Sequence, residues 1–115
     1  MPSYTAFLRG FGIKKGIKIA GYTLTKVHID HYEVERYKEY RYPITLTFTA
    51  DGPQSQGPIL LLSQLQMMVN GERVIRSQYG NPYSCYFGSL KTTEVSQDNQ
   101  TVIIESEGIA TRIYE

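Results

Sequence analysis

The chain contains a single cysteine, Cys85, and only two histidines, His28 and His31. A lone cysteine excludes an internal disulfide and any zinc site built from several cysteines, so a disulfide-stabilised secreted scaffold is not expected. The sequence also lacks a glycine-rich phosphate loop, a Ser-His-Asp order and a paired-carboxylate motif. We therefore expect a protein that is not an enzyme and that binds no metal and no cofactor.

Long apolar runs are missing as well. No stretch reaches the roughly 18 apolar residues that span a bilayer, and the N-terminal segment has no apolar run of signal-peptide length. We expect a soluble protein of the cytoplasm or of a virion, without a membrane partner. With 115 residues, 41% hydrophobic content and a net charge of +1, the chain is predicted to form one domain over residues 1–115. The bulk charge selects no partner.

The stretch HIDH at residues 28–31 is a candidate metal site. On a strand, His28 and Asp30 project to the same side and offer two ligands, but a catalytic metal normally has three protein ligands. Glu33 or Glu35 would have to complete the set. A solvated strand face is the favoured interpretation.

The stretch SQYGNPYSCYFGS at residues 77–89 is the second candidate for chemistry, because it holds the cysteine and three tyrosines. After a turn at 80–82, Tyr83, Cys85 and Phe87 share one face of a predicted strand. A nucleophilic thiol needs a base that lowers its pKa, and nothing in the sequence brings either histidine to it. Cys85 is predicted to be a small core residue.

Strand patterns dominate the chain. Residues 44–50, ITLTFTA, alternate apolar residues with threonine, which predicts a strand with one buried face. Gly21 is expected at a bulge in the preceding strand, and Pro43 indicates an edge or a bulge because it cannot donate a ladder hydrogen bond. Residues 89–114 read as a hairpin that turns at QDNQ. The predicted fold is mainly β, an antiparallel barrel or sandwich with one short helix near residues 58–70.

That helix rests on apolar residues at helical spacing in GPILLLSQLQMMVNG, with Pro58 in the first turn and Gly71 as a C-terminal cap. A hairpin that turns at Asn70 and Gly71, with residues 72–77 as the returning strand, is the alternative. Leucine, glutamine and methionine favour the helix.

Charge is distributed unevenly along the chain. Residues 1–29 contain five basic residues and no acid: Arg9, Lys14, Lys15, Lys18 and Lys26. Residues 91–115 contain five acidic residues against two basic ones: Glu94, Asp98, Glu105, Glu107 and Glu115 against Lys91 and Arg112. Two arrangements are open. Either the terminal segments pair as neighbours in one sheet, or they lie at opposite ends and support a head-to-tail subunit contact.

The order of elements over about residues 40–115, with an exposed loop, the helix PILLLSQLQMMVNG and a closing hairpin, resembles the ring-forming tail-tube and baseplate proteins of phage-like tails. In that group a β-sandwich or barrel flanked by a helix assembles edge to edge. The resemblance implies that GFGIKKGIK at residues 10–18 reaches a neighbouring subunit, with Lys14, Lys15 and Lys18 as contact residues. The acidic partners expected across that contact are Glu105 and Glu107.

The leading functional hypothesis is thus an assembly protein, a tail or virion component, that associates with itself or with other structural proteins. The alternative is a small β-barrel that binds single-stranded nucleic acid through aromatic platforms and a basic groove. The residues that would carry it are Tyr22, Arg36, Tyr37, Tyr40, Arg41 and Tyr42. The interleaved acids Glu33, Glu35 and Glu39 speak against this alternative.

Overall fold

A computed structural model describes residues 1–34, 39–52 and 57–114 of the chain. Two helices and eight strands occur in this described part. In chain order they are α1 Tyr4–Gly10, β1 Lys18–Ile19, β2 Tyr22–Ile29, β3 Tyr32–Val34, β4 Glu39–Thr49, α2 Gly57–Met68, β5 Arg73–Arg76, β6 Pro82–Phe87, β7 Lys91–Val95 and β8 Thr101–Arg112. The fold is mainly antiparallel β, as predicted, and takes the form of a curled half-barrel sheet with two short helices.

The sheet is organised around the long antiparallel pair of β4 and β8. The strand order is β1-β2-β4-β8-β6-β5, while β3 also pairs with β4 and β7 also pairs with β8. Pairing of β4 with β8 runs from Glu39 opposite Thr111 to Thr49 opposite Thr101. The shorter strands therefore bind successive halves of these two long strands, β2 and β3 along β4, and β6 and β7 along β8.

Pro43 marks the junction between the two halves. It lies within the central strand β4, so the prediction of an edge or a bulge at this proline is wrong. Ile29 of β2 lies opposite Ile44, and Tyr32 of β3 lies opposite Arg41, so Pro43 faces the gap between the two strands. Because proline has no N–H, one ladder bond is lost there, but its carbonyl still accepts from the Asp30 N–H at 3.1 Å.

The short helices pack against opposite halves of the sheet. Helix α1 contacts β5, and α2 contacts β7 and β1. The ring of Phe7 in α1 stacks on Tyr42 of β4 at a centroid distance of 4.6 Å. The predicted alternation in β4 is confirmed, since its apolar residues Ile44, Leu46 and Phe48 are buried in this core.

Helix α1 is the main difference from the sequence prediction, which has a single helix. Ser3 caps its N-terminus by accepting from the Ala6 N–H at 3.1 Å. At its C-terminus, Gly12 adopts the left-handed conformation with φ 78° and donates to the Arg9 carbonyl, while the Ile13 N–H donates to the Leu8 carbonyl. This is a Schellman motif. The helix is only seven residues long. Its apolar pattern in the sequence is therefore too short to distinguish a helix from a strand.

The second helix is confirmed and ends close to the predicted cap. Gly71 adopts φ 83°, and β5 follows it. The hairpin alternative is wrong because β5 pairs with β6 and not with residues 58–70. Gly21 is also placed differently from its prediction. It forms a tight turn with Ala20 between β1 and β2, both at positive φ, while the register shift lies between Leu24 and Lys26.

Candidate functional site

The outer side of α2 exposes large apolar side chains. Ile59 is 77% exposed, Leu60 49% and Met67 76%, whereas Leu61 and Leu65 on the inner side are buried. We call Ile59, Leu60 and Met67 the outer face of α2. Leu60 and Met67 are seven residues apart, which is close to two helical turns, so they project in nearly the same direction about 10 Å apart along the axis. The polar residues Ser63, Gln64 and Gln66 are exposed on the same side, and within the described residues nothing covers the three apolar side chains.

The outer face carries no charge because α2 itself has none. Its sequence is GPILLLSQLQMM, in which the only polar side chains are serine and glutamine. Arg73 holds the C-terminal end of the helix, since its guanidinium donates to the Met68 carbonyl at 3.5 Å and to the Asn70 carbonyl just beyond the helix at 2.8 Å. The same guanidinium lies 5.1 Å from the ring centroid of Phe11, beside α1. The exposed side of this anchored helix is thus uncharged, with the apolar residues Ile59, Leu60 and Met67 beside serine and glutamine.

The predicted contact loop, residues 10–18, is folded back on its own domain. Lys14, Lys15 and Lys18 are exposed as expected. The loop is held to β2 by two backbone hydrogen bonds, from the Gly16 N–H to the Leu24 carbonyl at 2.8 Å and from the Leu24 N–H to the Ile17 carbonyl at 2.9 Å. This part of the chain does not extend away from the domain in the way that the resemblance implies.

The predicted acidic partners have neighbours within the domain. Glu107 accepts from Arg41 Nη1 at 2.5 Å and from the Tyr32 hydroxyl at 3.1 Å. Glu105 lies opposite Lys91 in the pairing of β7 with β8. Strands β2 and β8 flank β4 on its two sides, so the basic N-terminal and acidic C-terminal segments are not adjacent in the sheet. Pairing between the terminal segments, the first open arrangement, is therefore wrong.

The aromatic platform of the nucleic-acid alternative is not formed as predicted. Tyr22 and Tyr42 are fully buried, and neither ring can stack on a base. Burial also raises the pKa of the Tyr42 phenol well above its usual value. Tyr40 packs edge-on against Tyr83 at a centroid distance of 5.9 Å.

The two arginines predicted to bind nucleic acid, Arg36 and Arg41, give the nucleic-acid alternative little further support. Arg41 forms ion pairs with Glu107 and with Glu39, the latter at 3.1 Å. Its guanidinium is thus already bound by carboxylates, which compete with phosphate for it. Arg36 and Tyr37 lie outside the described residues.

The HIDH stretch forms an exposed local pair. The Nε2 atom of His28 lies 3.1 Å from Oδ2 of Asp30, and both side chains are largely exposed to solvent. His31 instead hydrogen-bonds through Nδ1 with the Tyr4 hydroxyl of α1. Among the described residues, no three His, Cys, Asp or Glu side chains are grouped so that they could hold a metal ion.

Cys85 is buried in the core, as predicted. Its thiol lies on β6 and donates weakly to the Tyr83 carbonyl at 3.7 Å. Burial raises the pKa of Cys85 to about 12, so almost none of the reactive thiolate is present near neutral pH. The thiol is suited to packing and not to nucleophilic attack.

A thiol reagent should therefore label Cys85 in the folded protein at least about 100-fold more slowly than in denaturant at pH 8, because access and ionisation are both suppressed. The rate is measured by mass spectrometry of the adduct, with Cys85→Ala as the control for labelling at other side chains. Equally fast labelling in the folded and denatured protein would contradict the buried position.

No protein-family model, curated protein or solved structure matches the chain. Neither of the helices in the described ranges is long and apolar enough to cross a membrane. The resemblance to ring-forming tail proteins stays a prediction, and the geometry of the chain itself is the basis on which its function can be inferred.

Proposed function

We propose that this protein is an assembly protein that associates with a second copy of itself through the outer face of α2. The observation that supports the proposal is the exposure of three large apolar side chains, Ile59, Leu60 and Met67, on one side of an uncharged, anchored helix. Exposed apolar surface of this kind, when contiguous, is characteristic of protein contacts.

A second copy is the partner that the charge pattern favours. In a two-fold contact each subunit presents the same patch, so any charge near the axis meets its own like charge. A helix without charged residues avoids this repulsion, which otherwise opposes association. If two such helices cross, the ridges of one pack into the grooves of the other, and the leucine, isoleucine and methionine side chains are buried between them.

This contact differs from the head-to-tail contact inferred from the sequence. That contact needs Glu107 to meet the lysines of a neighbour, and Glu107 is already bound to Arg41. Membership of a phage-like tail would be a more specific form of the proposed function, and self-association through α2 does not require it.

The proposal is tested by placing charge at the contact. Leu60→Glu combined with Met67→Glu should leave the fold intact, since both side chains are exposed, and should weaken self-association by more than about tenfold because four carboxylates then meet across the contact. Association is measured by sedimentation equilibrium, and folding by circular dichroism.

A matched control replaces two exposed aromatic residues away from α2, Tyr79→Glu with Tyr114→Glu, and should associate like the parent protein. Reversal of Lys14, Lys15 and Lys18 to glutamate should also leave association unchanged under the proposed contact, whereas a head-to-tail contact predicts its loss. A parent protein that is monomeric at all concentrations would contradict the proposal, as would association that persists in the α2 variant.

A further inference from the structure

An apolar groove lies between α1, the loop that follows it and the C-terminal half of β2. Its volume is about 620 Å³, within the range of small-molecule binding sites. The side chains that form its apolar walls are Leu8, Ile13, Ile17, Val27 and Ile29. None of them belongs to α2, so the groove is separate from the proposed association surface.

The walls of the groove are fixed by the backbone. The Schellman motif that ends α1 brings the Ile13 N–H to the Leu8 carbonyl at 2.9 Å, and both residues line the groove. Ile17, on the other side, is held by its carbonyl to the Leu24 N–H of β2. A cavity whose walls are anchored at both sides is preformed, so a ligand would not have to order it.

Three cationic residues lie at this groove: Arg9, Lys14 and Lys15. All are exposed, and among the described residues no carboxylate lies within 4.0 Å of any of them. Every residue that lines the groove comes from residues 1–29, the stretch of sequence that contains no acid. Apolar walls are therefore combined with positive charge that no lining carboxylate neutralises.

From this combination we propose that the groove binds a small amphipathic anion, namely a long-chain fatty acid. Its hydrocarbon chain would lie against the isoleucine, leucine and valine side chains, where removal from water stabilises it. Its carboxylate would lie beside Lys14, Lys15 or Arg9, which supply charge-assisted hydrogen bonds. Under this proposal, the basic residues near the N-terminus bind a ligand and do not form a subunit contact.

Oleate is the probe for the test, titrated below its micelle concentration at low salt and followed by displacement of a fluorescent fatty acid. We expect saturable binding of one oleate per chain, with weaker binding at high salt because the contacts at the groove are solvent-exposed. Oleyl alcohol, which has a similar chain but no charge, should bind several-fold more weakly. Equal binding of the alcohol would overturn the role of the cations.

Two variants distinguish charge from shape. Lys14→Gln with Lys15→Gln should weaken oleate binding about fivefold, the effect expected when two exposed charge contacts are lost. Thr5→Trp places a bulky ring in the groove from an exposed position of α1 and should abolish binding, with an unchanged circular dichroism spectrum. The control Lys26→Gln with Lys91→Gln removes the same charge elsewhere and should bind oleate like the parent protein.

Failure of the parent protein to bind oleate would overturn the proposal, as would equal losses of affinity in the groove and control lysine variants. Binding of an acidic amphipathic peptide without binding of oleate would overturn it in favour of a protein partner. These results are independent of self-association, because the Leu60 and Met67 variant keeps the groove intact and should still bind oleate.

Discussion

Replacement of Gly108 by alanine should lower the free energy of unfolding by about 1–3 kcal/mol, the usual effect of overpacking a core. Gly108 lies on β8, opposite Tyr42 of β4, and a Cβ atom at this position would lie 2.5 Å from Cε1 of the Phe7 ring. It would also lie 3.3 Å from Cδ1 of Ile44. Neither contact can be relieved easily, because Phe7 is itself fully buried against Tyr42. Urea denaturation measures the effect.

The cause of the lower stability of Gly108→Ala is tested by a double-mutant cycle with Phe7→Leu, which removes the ring that the new methyl group contacts. The two substitutions together should destabilise the protein by less than the sum of their separate effects. Gly52→Ala is the matched control, since no atom of the described residues lies within 4 Å of a Cβ atom added there and the φ of Gly52 is not positive. Additive effects of Gly108→Ala and Phe7→Leu would show that Phe7 does not fill this space.

Replacement of Tyr42 by alanine should lower the free energy of unfolding by about 3–5 kcal/mol, as for other large aromatic residues removed from a core. The side chain is fully buried, its ring stacks on Phe7, and its hydroxyl donates to the Pro2 carbonyl at 2.9 Å. Removal leaves a cavity and an unpaired buried carbonyl at the point where α1 meets the sheet. Denaturant unfolding and the melting temperature measure the loss.

Tyr42→Phe keeps the ring and removes only the hydroxyl, so it should destabilise the protein by about 1–2 kcal/mol and remain measurable if Tyr42→Ala fails to fold. The pair of variants also bears on the nucleic-acid alternative. If Tyr42→Ala kept its stability and lost oligonucleotide binding, Tyr42 would be shown to belong to a nucleic-acid-binding surface. We expect the opposite result, because the ring is enclosed by protein.

The sequence predicts α2 because its apolar residues recur at helical spacing over more than three turns. The apolar residues at that spacing, Leu61, Leu62, Leu65, Met68 and Val69, are the ones that pack on the core, whereas Leu60, next to Leu61, is half exposed. That difference depends on where β1 and β7 contact the helix. The helical spacing thus indicated the inner face correctly, and the fold added that Ile59, Leu60 and Met67 are exposed.

The N-terminal groove was missed for a related reason. The basic, acid-free character of residues 1–29 is plain in the sequence, and it is interpreted there as a loop that contacts another subunit. A serine cap at Ser3 and the Schellman signature that ends at Gly12 and Ile13 were the local signals for α1. With that helix in place, the apolar residues of the loop face β2 and form the groove.

By itself, the sequence determined the antiparallel β class, the position of α2, the final hairpin and the buried place of Cys85. These features follow from local periodicity and turn chemistry, which act over a few residues. Only the tertiary structure decided that Pro43 lies in a central strand, that Tyr22 is a core residue and that Glu107 binds Arg41. Each of these depends on strand pairing between residues distant in the chain, for which a single sequence carries no local signal.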